Sequence, residues 1–320
     1  MVLVMVLVME LKDEHRATLR ACGELRSYSA GQMLLQRGAE SSSILHLVEG
    51  EISLLRETPY GDLVLDELGP GGYLGEVLFC CGQPRISSAR GTTSGQLLVI
   101  KPKTLQMAMA NNDGFEVAVL WQFWESLSRK LRHVNRSLEE FFGQSETEDV
   151  EAQKAAVPRD AKLDVQARRD AIRRLGLSNM EINFLASVAE PVELDPDALL
   201  MREGDPATAM YVVADGRLMV SKEIPGAGTE ALCFVDPGGL VGEMGLIDEL
   251  PRSADVRTTA AGATLLMIKA ETLTKLLHPG RASSVRLMRF LCRQQALRLQ
   301  ATYEKIVGWY ILAGGSLQGR

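Results

Sequence analysis

Histidine and cysteine are scarce in this chain, and where they occur they are scattered. The four histidines, His15, His46, His133 and His278, form no catalytic or metal-ligating group. The five cysteines, Cys22, Cys80, Cys81, Cys233 and Cys292, are odd in number and show no CxxC or Cys/His spacing. They read as thiols of a reducing compartment, not as a disulfide framework or a zinc site. There is no Walker loop, no GxSxG, no HExxH and no histidine paired with a plausible nucleophile, so no enzyme is expected. Excess positive charge is also missing. A net charge of −6 argues against broad binding to nucleic acid. The apolar start, MVLVMVLVM, is about half the length that spans a bilayer and lacks the basic flank and cleavage site of a signal peptide. It reads as a first strand, a frayed extension or a misplaced start codon, and a cytoplasmic protein without a membrane anchor is expected.

What the chain does have, it has twice. Residues 70–85 read PGGYLGEVLFCCGQPR and residues 237–252 read PGGLVGEMGLIDELPR, the shared positions offset by 167. In each copy a Gly-Glu is followed, nine positions after the Glu, by an Arg with Pro before it. The repeat extends outwards: ILHLVEGEISLL (44–55) matches MYVVADGRLMVS (210–221), and LLVIKPKTL (97–105) matches LLMIKAETL (265–273). Short alternating strands and the turn signals PYGD (59–62) and PGAG (225–228) predict hairpins. A length of 320 residues suits two domains. The expected fold is α+β, mainly β: two tandem antiparallel β-roll or jelly-roll barrels, each flanked by helices and followed by a long C-terminal helix. The expected boundaries are 1–142, a linker at 143–158, and 159–320, with short helices at 160–175 and 179–189. Arg168, Arg169, Arg173 and Arg174 on the first of these helices read as a solvated face, with a docking patch for a partner as the sharper alternative.

Each half closes on a helical period. Val117, Leu120, Trp124, Leu127, Leu131, Val134, Leu138 and Phe141 follow a 3,4 spacing, a heptad seam that predicts a homodimer through residues 115–142. The second half offers Val285, Met288, Cys292, Gln295, Leu299, Thr302 and Ile306, a less apolar seam.

The repeated motif has its own chemistry. The glycines let the backbone turn tightly and come close to a ligand. MGLID (244–248) can form a helix turn whose free N–H groups suit a phosphate. Arg252 supplies a charged contact to the same phosphate and Ser253 a hydroxyl. Glu243 cannot favour a phosphate, so a ribose hydroxyl is its natural partner.

GEMGLIDELPRSADV resembles the phosphate-binding cassette of cyclic nucleotide-binding domains, and GEVLFCCGQPRISSA is a weaker match. The resemblance covers roughly 30–142 and 190–307. It implies that Glu76 and Glu243 hold the ribose 2′-hydroxyl, that Arg85 and Arg252 hold the cyclic phosphate, and that Gly75 and Gly242 admit the ligand. Val77, Ile86 and Ser87 in the first copy, and Met244, Gly245, Ser253 and Ala254 in the second, complete the cassettes. LRLQATYEKI (297–306) is similar to the base-contacting helix of the bacterial catabolite activator. That similarity implies Thr302 at the adenine edge of the second site, with Tyr303 stacking on the base or shielding it. In the first copy Leu78 stands for Gly245, Ile86 for Ser253 and Val134 for Thr302, which leaves base recognition there to Asn135. The second site is therefore expected to be the better binder. The first is a weak site, a site for another nucleotide, or a structural element.

The resulting expectation is a non-catalytic cyclic nucleotide receptor, taking cyclic AMP in preference to cyclic GMP, that moves a helix on binding and signals to an unknown protein partner. A scaffold with ligand-free barrels and a transcription regulator acting through a partner are the rivals. Only 307–320 follow Ile306, too short for a helix-turn-helix, so no direct DNA binding is expected.

Overall fold

The computed structural model describes residues 11–39, 42–141, 154–224, 228–277 and 282–315. The apolar start, most of the expected linker and three residues of the PGAG turn lie outside these. The described residues fall into two compact units, one of 11–141 with 282–315 and the other of 154–277.

In the first unit, α1 (Asp13–Ala21) precedes β1 (Gly23–Tyr28), β2 (Met33–Leu35), β3 (Ile44–Glu49), β4 (Ile52–Thr58) and β5 (Gly61–Leu68). Then come β6 (Tyr73–Leu74), α2 (Glu76–Cys81), β7 (Ser88–Gly91), β8 (Gly95–Ile100), α3 (Pro102–Ala110) and α4 (Asp113–Phe141). The strands form two antiparallel sheets, ordered β1-β8-β3-β6 and β2-β7-β4-β5. The PYGD hairpin forms as expected, with Thr58 opposite Gly61. Alternation turns Ile52, Leu54, Leu63, Leu65 and Leu68 inwards. A register shift opposite Leu54 and Leu55 breaks the alternation in β5, and Asp66 is buried next to Leu65.

The second unit starts with β9 (Arg159–Asp160), α5 (Val165–Arg173) and α6 (Asn179–Val188). Ser178 and Glu181 form a capping box that starts α6. Next come β10 (Glu190–Leu194), β11 (Leu199–Met201), β12 (Ala209–Ile224), β13 (Gly228–Val235), β14 (Leu240–Val241), α7 (Glu243–Ile247), β15 (Asp255–Lys269) and α8 (Ala270–Leu276). These strands join in one seven-stranded sheet. By the sequence repeat, β12 does the work of β3 and β4, and β15 that of β7 and β8. Register shifts near Val213 and Gly216 bend the long strands around a core of Val213, Leu218, Val241 and Leu265. Both halves are thus antiparallel β-rolls, and among the described residues no sheet closes into a barrel.

The last helix, α9 (Ala282–Leu312), departs from expectation. It belongs to the first unit, so the expected second domain of 159–320 loses its terminal helix. Arg289 donates from Nε to Glu116 at 2.6 Å, and the Cys292 thiol reaches the Leu120 carbonyl at 3.2 Å. These contacts advance together along both helices, so α4 and α9 run parallel. Val117, Leu120, Trp124, Leu127, Leu131, Val134 and Leu138 are all buried within one chain, and the Phe141 side chain lies outside the described residues. The seam expected to make a homodimer is therefore already covered by α9. Burial of each such side chain is worth about 1.5–3 kcal/mol, which is why the two heptad helices of one chain pair. Among the described residues no helix is long and apolar enough to cross a membrane.

Candidate functional site

In the first roll, β6 gives way to Gly75, whose φ of 91° lies in the left-handed region. A Cβ there would come within 2.6 Å of the Ser43 carbonyl and 3.0 Å of Arg85 Nη1, so a glycine is required. The turn delivers Glu76 to the first position of α2, facing inwards and 0% exposed. Its Oε1 accepts from Lys130 Nζ of α4 at 2.5 Å and from Ser126 Oγ at 3.4 Å. Lys130 Nζ also donates to the Tyr73 carbonyl at 2.6 Å. The second oxygen of Glu76, Oε2, is buried with no hydrogen-bond partner. Arg85 Nη2 donates to the Ser43 carbonyl at 2.5 Å. Burial pulls the Arg85 guanidinium below its ordinary pKa, and the charge of Glu76 opposes that shift.

Glu76, Arg85 and Lys130 line one pocket, which encloses about 520 Å³ counted out to its open mouth. Its far wall is α9, which contributes Leu299, Gln300 and Tyr303. Burial first, then the carboxylates of Asp66 and Glu76, push the Tyr303 hydroxyl well above its usual pKa. Asp66 is itself pushed up by burial, against the opposing charges of Lys130 and His133.

The second roll repeats the cassette. Gly242 has φ 83°, and a Cβ there would stand 2.7 Å from Arg252 Nη1 and from Met201 Cε. Glu243 is buried at the start of α7. Arg252 is buried too. Its Nη1 donates to the Gly242 carbonyl and its Nη2 to the Ala209 carbonyl, each at 2.7 Å. Ala209 and Ser43 occupy equivalent places in the repeat, one residue before the matched strands, so both arginines are held by the same carbonyl. Burial lowers the Arg252 pKa, opposed by Tyr211, Glu243 and Asp205. Met244, Gly245 and Ala254 are buried, and Ser253 Oγ lies 3.9 Å from Met244 Sδ. A Cβ at Gly245 would meet the Leu250 carbonyl and Ala207 Cβ at 2.7 Å, so its small size serves packing under the cassette.

The expected first-site residues Gly75, Glu76, Val77, Arg85, Ile86 and Ser87 all line the pocket, as does Leu78. Asn135 is buried on α4 but is not part of that lining. The helix residues differ most from expectation. Thr302 and Tyr303, expected over the second site, lie in the first unit because α9 pairs with α4. Tyr303 enters the first pocket, while Thr302 turns its hydroxyl back to the Arg298 carbonyl at 2.9 Å and stays off the lining. Lys130 and Gln300 were not foreseen. The only signal for Lys130 was a lysine flanked by seam positions Leu127 and Leu131. Among the described residues, no group of three or more His, Cys, Asp or Glu is placed to hold a metal.

A family model described as the cyclic nucleotide-binding domain matches residues 25–112 and 191–279, more than half of the chain. The chain belongs to the cyclic nucleotide-binding domain family. It is 22% identical over 242 residues to a cAMP-dependent protein kinase regulatory subunit of Dictyostelium discoideum, a match covering 74% of this chain and 60% of that protein. It is 21% identical over 249 residues to the cGMP-dependent protein kinase egl-4 of Caenorhabditis briggsae, covering 78% of this chain and 27% of the kinase. The chain thus spans about 60% of the first relative and about a quarter of the second. Among solved structures, the regulatory domain of Toxoplasma gondii PKA, co-crystallised with cAMP, aligns over 87% of both chains with 17% identity and a TM-score of 0.32. The family model matches this chain twice, and Gly75, Glu76 and Arg85 of the first match recur as Gly242, Glu243 and Arg252 of the second.

Proposed function

We propose that this chain is a cyclic nucleotide receptor acting as a non-catalytic regulatory protein. One observation carries the reading. A fully buried carboxylate with an unmatched oxygen, Glu76 Oε2, shares a pocket wall with the half-buried guanidinium of Arg85. An orphaned buried acceptor is costly unless a donor arrives. A ribose hydroxyl supplies that donor, and a cyclic phosphate supplies the anion for Arg85. Tyr303 and Leu299 then cover the base from α9. Glu243 and Arg252 repeat the pairing in the second roll.

Cyclic AMP is the proposed ligand, on the similarity to the Dictyostelium regulatory subunit, and cyclic GMP is the competitor. Thr302 does not support that choice, since its hydroxyl is held within the helix. The proposed output is a change in the α4–α9 pair, read by a protein partner. A ligand shifts that pair only to the extent that it binds its two arrangements differently.

Equilibrium dialysis against cyclic AMP, cyclic GMP, 2′-deoxy cyclic AMP and 5′-AMP tests the reading. Cyclic AMP is expected to bind at micromolar concentration or below, with the 2′-deoxy analogue about tenfold or more weaker for want of the Glu76 contact. Equal binding of all four would remove the assigned roles of Glu76 and Arg85.

A further inference from the structure

The lid helix α9 is fastened to the residues on either side of Arg85. Arg56, on β4, points a forked pair of donors at Glu304 of α9, with Nη1 to Oε1 at 3.0 Å and Nη2 to Oε2 at 2.9 Å. The same Nη1 donates to the Ile86 carbonyl. One helical turn earlier on α9, Gln300 Nε2 donates to the Pro84 carbonyl at 3.1 Å. The carbonyls of residues 84 and 86 bracket Arg85, so one shoulder of the phosphate arginine is held by α9 directly and the other through Arg56.

An exposed ion pair is ordinarily worth little. This one differs in geometry and setting. The Arg56 side chain is only 11% exposed, against 47% for Glu304, and the forked geometry fixes two donors at once. Neither Arg56 nor Glu304 lines the pocket, so any influence of theirs on ligand runs through the Pro84–Ile86 loop and the pocket-facing residues of α9. For Arg85 to shift towards a phosphate, its loop must either carry α9 along or break these bonds.

We propose that Arg56, Gln300 and Glu304 are positioning residues forming a clasp, which holds the phosphate loop of the first pocket in register with α9 and so sets how long that pocket keeps its nucleotide. The inference rests on the reading of the first pocket as a cyclic nucleotide site. A structural ion pair would alter stability without altering ligand retention, and a charge-exchange cycle separates the two.

The test uses the full chain carrying Arg252→Ala, so that the first pocket is read alone, with a fluorescent cyclic AMP analogue displaced by unlabelled cyclic AMP in a stopped-flow instrument. Arg56→Glu and Glu304→Arg are each expected to speed dissociation about tenfold. The double exchange restores opposite charges but leaves the Ile86 carbonyl without its donor, so it should return part of that loss. Glu304→Gln removes the charge at constant size and should act in the same direction, which keeps the test alive if Arg56→Glu fails to fold. Single variants that release ligand like the parent, or a double exchange as fast as the singles, would overturn the clasp while leaving the pocket's function standing. A parent that binds no nucleotide would overturn both.

Discussion

Arg85 is a half-buried cation and Arg252 a buried one, each tied to the equivalent carbonyl of its roll, Ser43 or Ala209. Those bonds aim the guanidinium, and on the proposed reading a cyclic phosphate adds a charged contact to it. Replacing either arginine with alanine should therefore cost its own site several kcal/mol of cyclic nucleotide affinity, as when a buried charge loses its partner. Lysine should not rescue it, because the planar fork is lost. Titrations of the single variants check both statements. Gly242→Ala should be more damaging than a surface substitution. Its φ of 83° strains any side chain, and the new Cβ would sit 2.7 Å from Arg252 Nη1. A loss of about 1–3 kcal/mol in stability from the backbone alone is expected in denaturant unfolding. Asp66 gives a pH signature. Its carboxyl pKa is raised, chiefly by burial, so the folded state holds the proton more tightly than the unfolded chain. Its contribution is therefore favourable below the ordinary carboxylate pKa, about 3.9, and is lost as pH rises through the raised folded value. Asp66→Asn should accordingly gain stability over the parent as pH climbs from that acid range to neutrality. A gain independent of pH would contradict the assignment.

At the scale of elements, α4 and α9 decide where the lid goes. Heptad spacing in both helices was legible in the sequence, and so were the antiparallel rolls, the PYGD hairpin and the cassette residues. Which helix pairs with which was not. A 3,4 seam states that a partner exists and leaves open whether it is a second copy or another segment of the same chain. The sequence seam of α9 also showed only one of its two buried faces. Leu287, Leu291, Tyr303, Val307 and Tyr310 are buried as well, and Tyr303 meets the first pocket while Tyr310 meets Tyr60 at the β4–β5 turn. The burial of Asp66 was hidden for a different reason, since a register shift in β5 defeats an alternation argument. Lys130 reads as an ordinary solvated lysine until Glu76 is seen beneath it. The pairing yields a direct prediction. A chain ending at residue 281 would expose Leu120, Trp124, Leu127 and Leu131 and should self-associate in sedimentation velocity. The full chain, with that seam covered, should not associate through it, and Trp124→Ala should cost it about 3–5 kcal/mol of stability.

For the whole molecule, a ligand that binds only the folded state stabilises it by mass action. The gain is about 2.7 kcal/mol for each site when free ligand is at a hundred times Kd. Cyclic AMP should thus raise the melting temperature in proportion to the logarithm of its concentration, and the rise should shrink in the Arg85→Ala and Arg252→Ala variants. The most direct measurement is a calorimetric titration of the intact chain, and of its Arg85→Ala/Arg252→Ala double variant, with cyclic AMP and with cyclic GMP. A cyclic nucleotide receptor built on these cassettes should give saturable binding of at least one nucleotide at micromolar Kd or tighter, and the double variant should give none. Absence of binding by the intact chain to either nucleotide, or undiminished binding by the double variant, would contradict it.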